Sequence, residues 1–224
     1  MLYSTPYQCR NLKDNVIRMK KLVLILLALL CIARPAYAQN LTAADHRDIE
    51  RIETYLNDLH SITADFLQVD DTGGMMHGKI AIQRPGKMRV TYDPPNKDFI
   101  VCDGDMVHIW NEDLKAQTNV EQGSSLAEFI LRDPIKLAGD VTVTSFKRFP
   151  AKIEVTLAET KDPAAGSLTL VFEDYPLLLR QWKVLDPQGH LTGVNLENER
   201  EGVTFPASTF IFVPPNFGKG GKAG

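Results

Sequence analysis

From residue 41 to residue 60 the apolar positions Ile49, Ile52, Leu56 and Leu59 recur at helical spacing, with Asp48, Glu50, Arg51 and Asp58 on the opposite face. Thr42, with Asp45 three residues on, can cap that run, so the pattern predicts one amphipathic helix. Beyond it the period falls to two. Val141-Thr142-Val143, Ile153-Glu154-Val155-Thr156-Leu157 and Leu168-Thr169-Leu170-Val171-Phe172 alternate, as strands do when one face is buried and the other wet. Turn signals punctuate the pattern at Arg84-Pro85-Gly86, Asp93-Pro94-Pro95-Asn96, Asp103-Gly104, Asp162-Pro163 and Asp186-Pro187-Gln188-Gly189. Short strands with turns roughly ten residues apart indicate an antiparallel meander, not βαβ units, and between residues 63 and 213 there is room for about 11–12 strands. No internal repeat is evident.

One stretch interrupts the alternation. Ser125 and Glu128 stand at capping-box spacing, and Leu126, Phe129 and Ile130 share one helical face. Asp133-Pro134 offers a second N-cap with proline at the first helical position, and Gly139 would end a helix of barely more than one turn. The expected architecture is one helix before the sheet and two short α-helices inserted midway. Helices that short need tertiary packing, and the concave side of a strongly curved sheet is the natural place for their apolar faces.

The start of the chain follows another logic. Arg18-Met19-Lys20-Lys21 precedes an unbroken apolar run over residues 22–33, and Ala36-Tyr37-Ala38 stands before Gln39. A basic start, a short apolar core and an A-x-A ending make a secretory signal peptide, cleaved after Ala38. As a helix the run would cover roughly 18 Å, short of the ~30 Å hydrocarbon core, and Arg34 interrupts it, so a membrane anchor is disfavoured. Cys31 is not read as a lipidated cysteine, because Leu30 stands where that signal wants a small residue. The division is therefore a leader over 1–38, with 1–18 preceding the true start and 19–38 the signal peptide, then one domain over 39–218 and a disordered tail over 219–224.

That division changes the bulk figures. The whole chain has 224 residues, 44% hydrophobic and 24% charged, with a net charge of −3, which argues against a nucleic-acid-coating protein. Six basic residues but only Asp14 among the acids fall in the leader, which leaves the remainder 19 basic and 27 acidic side chains, a net charge of −8. Such a charge suits a protein that should not adhere to anionic membrane surfaces. Of three cysteines only Cys102 remains, so an exported domain without an internal disulfide must rely on its core.

Reactive constellations are sparse. His46, His60, His77, His108 and His190 are scattered, with no His or Cys partner at metal-ligand spacing. Cys102 lies in an apolar strand beside a turn and reads as a buried, inert thiol. There is no G-x-S-x-G elbow, H-E-x-x-H motif or phosphate-cradling glycine loop, and the neighbouring Glu50 and Glu53 read as a solvated helix face. No catalytic residue, metal or cofactor is expected, and the protein is read as a non-enzyme.

Arg84 is the exception. By strand parity Ile80, Ile82, Arg84 and, beyond the turn, Met88, Val90 and Tyr92 share the apolar face, while Lys79, Gln83, Lys87 and Arg89 point to water. Arg84 then sits on the inner side at a rim. Two readings stay open: a solvated turn arginine, or a guanidinium whose five donors bind carbonyls at the ends of the short helices and latch them closed.

Several segments together carry a resemblance. Ala64-Asp65-Phe66-Leu67-Gln68 follows the first helix, and Arg84-Pro85 has Tyr92 and Pro95 downstream. Val101-Cys102-Asp103-Gly104, Val107-His108-Ile109-Trp110-Asn111 and Ala116-Gln117-Thr118 come next, and Phe210-Ile211-Phe212-Val213-Pro214-Pro215-Asn216-Phe217-Gly218 closes the run. In this order and spacing, over residues 41–218, the chain resembles the LolA family of periplasmic carriers of outer-membrane lipoproteins. The resemblance implies a mainly β fold, a half-open antiparallel β-barrel of about 11–12 strands with a lid of short α-helices over an apolar cavity.

It further implies that Arg84 is the lid latch. Phe66, Ile80, Ile82, Met88, Val90, Tyr92, Trp110, Leu126, Phe129 and Ile130 would form the acyl cavity and its entrance. Met88 and Val90 stand where the family often has aromatic residues, which keeps apolarity and loses ring area. The implied partners are acylated lipoproteins, an inner-membrane lipoprotein-releasing ABC transporter complex and an outer-membrane acceptor, with the protein acting as a monomer in the periplasm and binding no nucleic acid. The alternative is a periplasmic lipid-sensing regulatory domain of the envelope-stress-sensor type. That type usually carries a second domain, for which the sequence after the Pro214-Pro215 pair leaves no room.

Overall fold

Thr42 and Asp45 close the expected reciprocal cap: Thr42 N donates to Asp45 Oδ2 at 2.7 Å, and Asp45 N donates to Thr42 Oγ1 at 3.2 Å. From this cap runs α1, Ala43–Asp58, in a computed structural model that describes residues 41–123 and 125–215. The expected leader over 1–38 and tail over 219–224 lie outside the described residues. Ile52 and Leu56 are fully buried on the inner face of α1, each contributing about 1.5–3 kcal/mol of transfer free energy. The charged face is only partly a solvated one. Asp45 and Asp48 pair with Arg148, and Arg51 pairs with Asp174.

Most of the remaining described chain forms one antiparallel sheet of eleven strands: β1 (Ser61–Asp70), β2 (Met75–Gln83), β3 (Lys87–Tyr92), β4 (Phe99–Asp103), β5 (Met106–Asn111), β6 (Ala116–Glu121), β7 (Val141–Phe149), β8 (Lys152–Glu159), β9 (Ser167–Glu173), β10 (Leu178–Leu185) and β11 (Leu191–Glu201). Their order is β6-β5-β4-β3-β2-β1-β11-β10-β9-β8-β7. Two meanders are thus joined by one long-range pairing, β1 with β11, in the register Phe66 opposite Leu196 and Gln68 opposite Val194. The edges, β6 and β7, do not pair, so the barrel stays open, as expected.

Alternation decides which side is inside. Ile62, Ala64 and Phe66 of β1, Ile80 and Ile82 of β2, and Leu168, Leu170 and Phe172 of β9 join α1 in one continuous core. Gly78 allows the tight curl of β1–β3. A Cβ there would meet the Thr91 carbonyl at 2.3 Å and the Phe66 ring at 2.7 Å, so the ring occupies the room that glycine leaves and stacks edge-on against Tyr92 at 5.5 Å.

Residues 122–140 span from edge strand β6 to edge strand β7. The spacing predicts two short α-helices here; the structure holds one 3-10 helix, Leu126–Leu131, followed by a non-helical stretch. Ser125 Oγ accepts from Ala127 N at 3.1 Å as a cap should, but Glu128 bonds to Gly123 N at 2.6 Å instead of completing the box. After Pro134 no helix forms because α1 offers the backbone better partners. Ile135 N donates to Asn57 Oδ1 at 2.8 Å, and Leu137 N donates to Glu53 Oε1 at 2.7 Å. Glu53, expected on a solvated face, therefore holds this segment in place.

After β11 the chain forms a 3-10 helix, Ala207–Phe210, and then lies as an extended strap over the outer face of β3–β5. Phe212 stacks on Phe99 at 5.4 Å and on His108 at 5.1 Å. Arg89, expected to point to water, instead lies over the Phe99 ring at 5.2 Å and reaches the Thr209 carbonyl.

Candidate functional site

The inner face of β1–β4, β10 and β11 lines a half-open cavity of about 280 Å³, with Ala127 and Ile130 of the 3-10 helix in its wall. Phe66, Ile80, Val90, Ile130 and Trp182 are its buried members; Met88, Tyr92, Ile100, Val184 and Val194 are half-buried. Its polar contributions are few: Gln68, Thr192 and the Tyr92 hydroxyl, which donates to Gln68 Oε1 at 2.9 Å. Burial holds that phenol above its ordinary pKa, so it remains a donor. An apolar wall with a few placed polar groups is the usual make-up of a small-molecule or lipid site.

Arg84, in the turn that follows β2, has its side chain turned inward and is only 8% exposed. Its Nε donates to the Arg132 carbonyl at 2.8 Å and Nη2 to the same oxygen at 2.5 Å; Nη1 donates to the Leu59 carbonyl at 3.1 Å and to that of Leu56. Its amide donates to the His60 carbonyl at 2.8 Å. The guanidinium thus joins the C-terminal end of α1, where orphan carbonyls carry partial negative charge, to the residue that ends the 3-10 helix. Burial pulls its pKa below the ordinary range while Asp133 pulls it back up, and an arginine so placed stays protonated. Gly86 N adds a bond to the Leu131 carbonyl at 2.9 Å.

Of the residues expected around the cavity, Phe66, Ile80, Met88, Val90, Tyr92 and Ile130 line it. Ile82, Leu126 and Phe129 belong to the contiguous core without lining the cavity, and Phe129 is wholly buried. Trp110 is elsewhere. It pairs with Phe99 across β4–β5 and faces outward, in a second cluster with Phe99, Val101 and Phe212. Register is the reason: on β4, Ile100 and Cys102 point inward, so Phe99 and its partner Trp110 must point out. Trp182, Val184, Thr192 and Val194 complete the inner wall from β10 and β11. The alternation of Gln181-Trp182-Lys183-Val184 marks an inward pair, but only the β1–β11 pairing brings it beside Phe66.

Cys102 is fully buried, and burial first, then Glu128 and Asp103, push its thiol up to about 12, which leaves it inert. Among the described residues no group of three His, Cys, Asp or Glu could hold a metal ion, and no helix is long and apolar enough to cross a membrane.

A single unclosed antiparallel sheet, wrapped around an apolar cavity and walled in by the segment that joins its two edges, defines a half-barrel with an internal apolar site. The family model described as "Outer membrane lipoprotein carrier protein LolA" matches residues 57–213, and the chain belongs to that family. Outer-membrane lipoprotein carrier proteins of Pseudomonas entomophila and Pseudomonas fluorescens Pf0-1 are 26% and 29% identical to it. Each alignment covers 77% of this chain, with 86% and 87% of the respective relative. The crystal structure of a LolA superfamily protein from Nitrosomonas europaea aligns with a TM-score of 0.42 at 6% identity, over 73% of this chain and 97% of that one.

Proposed function

We propose that this protein is a non-enzymatic periplasmic carrier, exported by its leader and cleaved after Ala38. It would take the acyl chains of lipoproteins from an inner-membrane releasing complex of the ABC-transporter type into its cavity and pass them to an outer-membrane acceptor. The observation that carries this is the apolar cavity behind a wall segment held by Arg84. Burying each acyl CH₂ is worth ~0.8 kcal/mol, so one sixteen-carbon chain left in water costs on the order of 12 kcal/mol, and an acylated protein needs a shield to cross an aqueous space. A rigid closed pocket would hold such a chain too tightly to hand it on. An open sheet with a movable wall gives a graded shield, and in this account Arg84, as latch, sets the closed-to-open equilibrium. The test is purification from the periplasm with the releasing step trapped, followed by mass spectrometry. Co-purified acylated lipoproteins are expected, and a persistently empty protein would overturn the proposal.

A further inference from the structure

The cavity is not uniformly apolar, and its polar groups are not scattered. Gln68 near the end of β1 and Thr192 near the start of β11 both line it. Their register, Gln68 opposite Val194 and Asp70 opposite Thr192, makes them diagonal neighbours on one face. Both are half-buried, whereas the apolar members Phe66, Ile80 and Ile130 are almost fully buried. The site therefore grades from a dry apolar interior to a polar edge at the β1–β2 and β10–β11 hairpin end. The Tyr92 hydroxyl donates to Gln68 Oε1, which fixes the amide with its oxygen turned to Tyr92 and leaves the Nε2 hydrogens for another acceptor. The Thr192 hydroxyl is a second donor on the same edge.

We propose that this edge is a subsite for the carbonyl at the head of an acyl chain, an ester or amide oxygen that accepts hydrogen bonds from Gln68 Nε2 and Thr192 Oγ1 while the hydrocarbon runs inward past Phe66 toward Ile130. The inference rests on the acyl-carrier reading and adds orientation and head-group selectivity to it. Two donors supplied to a carbonyl that would otherwise leave its water partners unreplaced favour a ligand bearing that group over a plain hydrocarbon of equal length.

The test is displacement of an environment-sensitive fluorescent probe from the purified protein by methyl palmitate and by hexadecane. For the wild type, methyl palmitate should bind more tightly. In Gln68→Met and in Thr192→Val the ratio of methyl palmitate to hexadecane affinity should shrink by roughly three- to tenfold each. The hexadecane arm also reports whether a variant retains its cavity. If both ligands bind all three proteins and the preference does not change, the subsite is wrong and the carrier reading stands. If the wild type binds neither ligand, both fall.

Discussion

Asn57 holds both backbone groups of Ile135: its Nδ2 donates to the Ile135 carbonyl at 3.0 Å, and its Oδ1 accepts from the Ile135 amide at 2.8 Å. One side chain of α1 thereby does for a distant residue what a neighbouring strand would do. Glu53 extends the arrangement to Leu137 N and, through Oε2, to Lys136 Nζ at 3.0 Å. The segment between β6 and β7 is therefore held in two distinct ways. Residues 135–137 are tied to α1 by Asn57 and Glu53, and the 3-10 helix is tied at its end to Arg84.

Removing the Asn57 amide should loosen the first tie without touching the cavity. Ile135 is fully buried, so Asn57→Ala leaves its N–H and C=O unsatisfied, at a cost of about 1–3 kcal/mol. Urea unfolding should show that loss, with faster amide exchange at Ile135 and Leu137. Asn57→Asp, which keeps the acceptor and loses the donor, should fall between Asn57→Ala and the wild type. Wild-type exchange in Asn57→Ala would mean that the segment is held by packing alone.

Arg84 governs the second tie. Arg84→Leu deprives the carbonyls of Leu56, Leu59 and Arg132 of their donor, and opening of the cavity wall should become easier by about 1–3 kcal/mol, or roughly 5- to 150-fold. Hydrogen exchange over residues 126–132 measures this directly. Arg84→Lys should recover only part of the effect, because a single ammonium lacks the fork that reaches two helix ends at once. If Arg84→Leu exchanged, loaded and delivered lipoprotein as the wild type does, the latch would be disproved.

How these features divide between sequence and structure follows from chain distance. Local ones are legible: the Thr42–Asp45 cap, the alternation of β7–β9, and the inward parity that sets Arg84 apart from Lys79 and Lys87. Partners distant in sequence are not. Nothing in residues 133–139 reveals that Asn57 and Glu53 will take their amides, so a proline after an acidic residue reads as a helix start. Trp110 looks like a cavity aromatic until the register of β4 and β5 turns it outward. The far wall of the cavity, Trp182 to Val194, depends on β11 returning to β1, a pairing across most of the chain. Arg89 reads as wet because the strap that covers it comes from 120 residues further on.

Gly78 offers a sharp test of the curl. A methyl group there would press on the Thr91 carbonyl and on the Phe66 ring together, and the carbonyl cannot move without breaking the β2–β3 ladder. Gly78→Ala should cost about 1–3 kcal/mol by chemical denaturation and should displace Phe66 into the cavity, weakening any apolar probe bound there. A stable Gly78→Ala protein with unchanged probe affinity would show that the sheet has slack at this point.

The outer strap carries a pH dependence whose direction follows from its contacts. His108 Nε2 lies 2.9 Å from Asp103 Oδ2 and Nδ1 lies 2.9 Å from Asn119 Oδ1, so both ring nitrogens face oxygen acceptors, an arrangement that the doubly protonated ring satisfies. Partial burial pulls the imidazole pKa down, but the bonds to Asp103 and Asn119 and the Asp103 charge outweigh it and hold His108 above its ordinary value. Asp103 is held down to about 2, first by the Met106 amide and then by His108. A raised histidine stabilises fully below its unfolded pKa of about 6.5, and that contribution is lost as pH climbs through the higher folded value. A depressed aspartate stabilises above about 3.9, and that contribution is lost as pH falls through about 2. The strap, stacked on His108 through Phe212, should therefore be held most firmly between about pH 4 and 6.5 and loosen on the alkaline side. In NMR titrations the His108 ring should have its midpoint above 6.5, with the Phe212 ring signals moving at the same pH. Asp103→Asn should lower that midpoint, and His108→Gln should flatten the response of Phe212. A His108 midpoint below 6.5 in the wild type, or Phe212 signals indifferent to it, would break the link between this imidazolium and the strap.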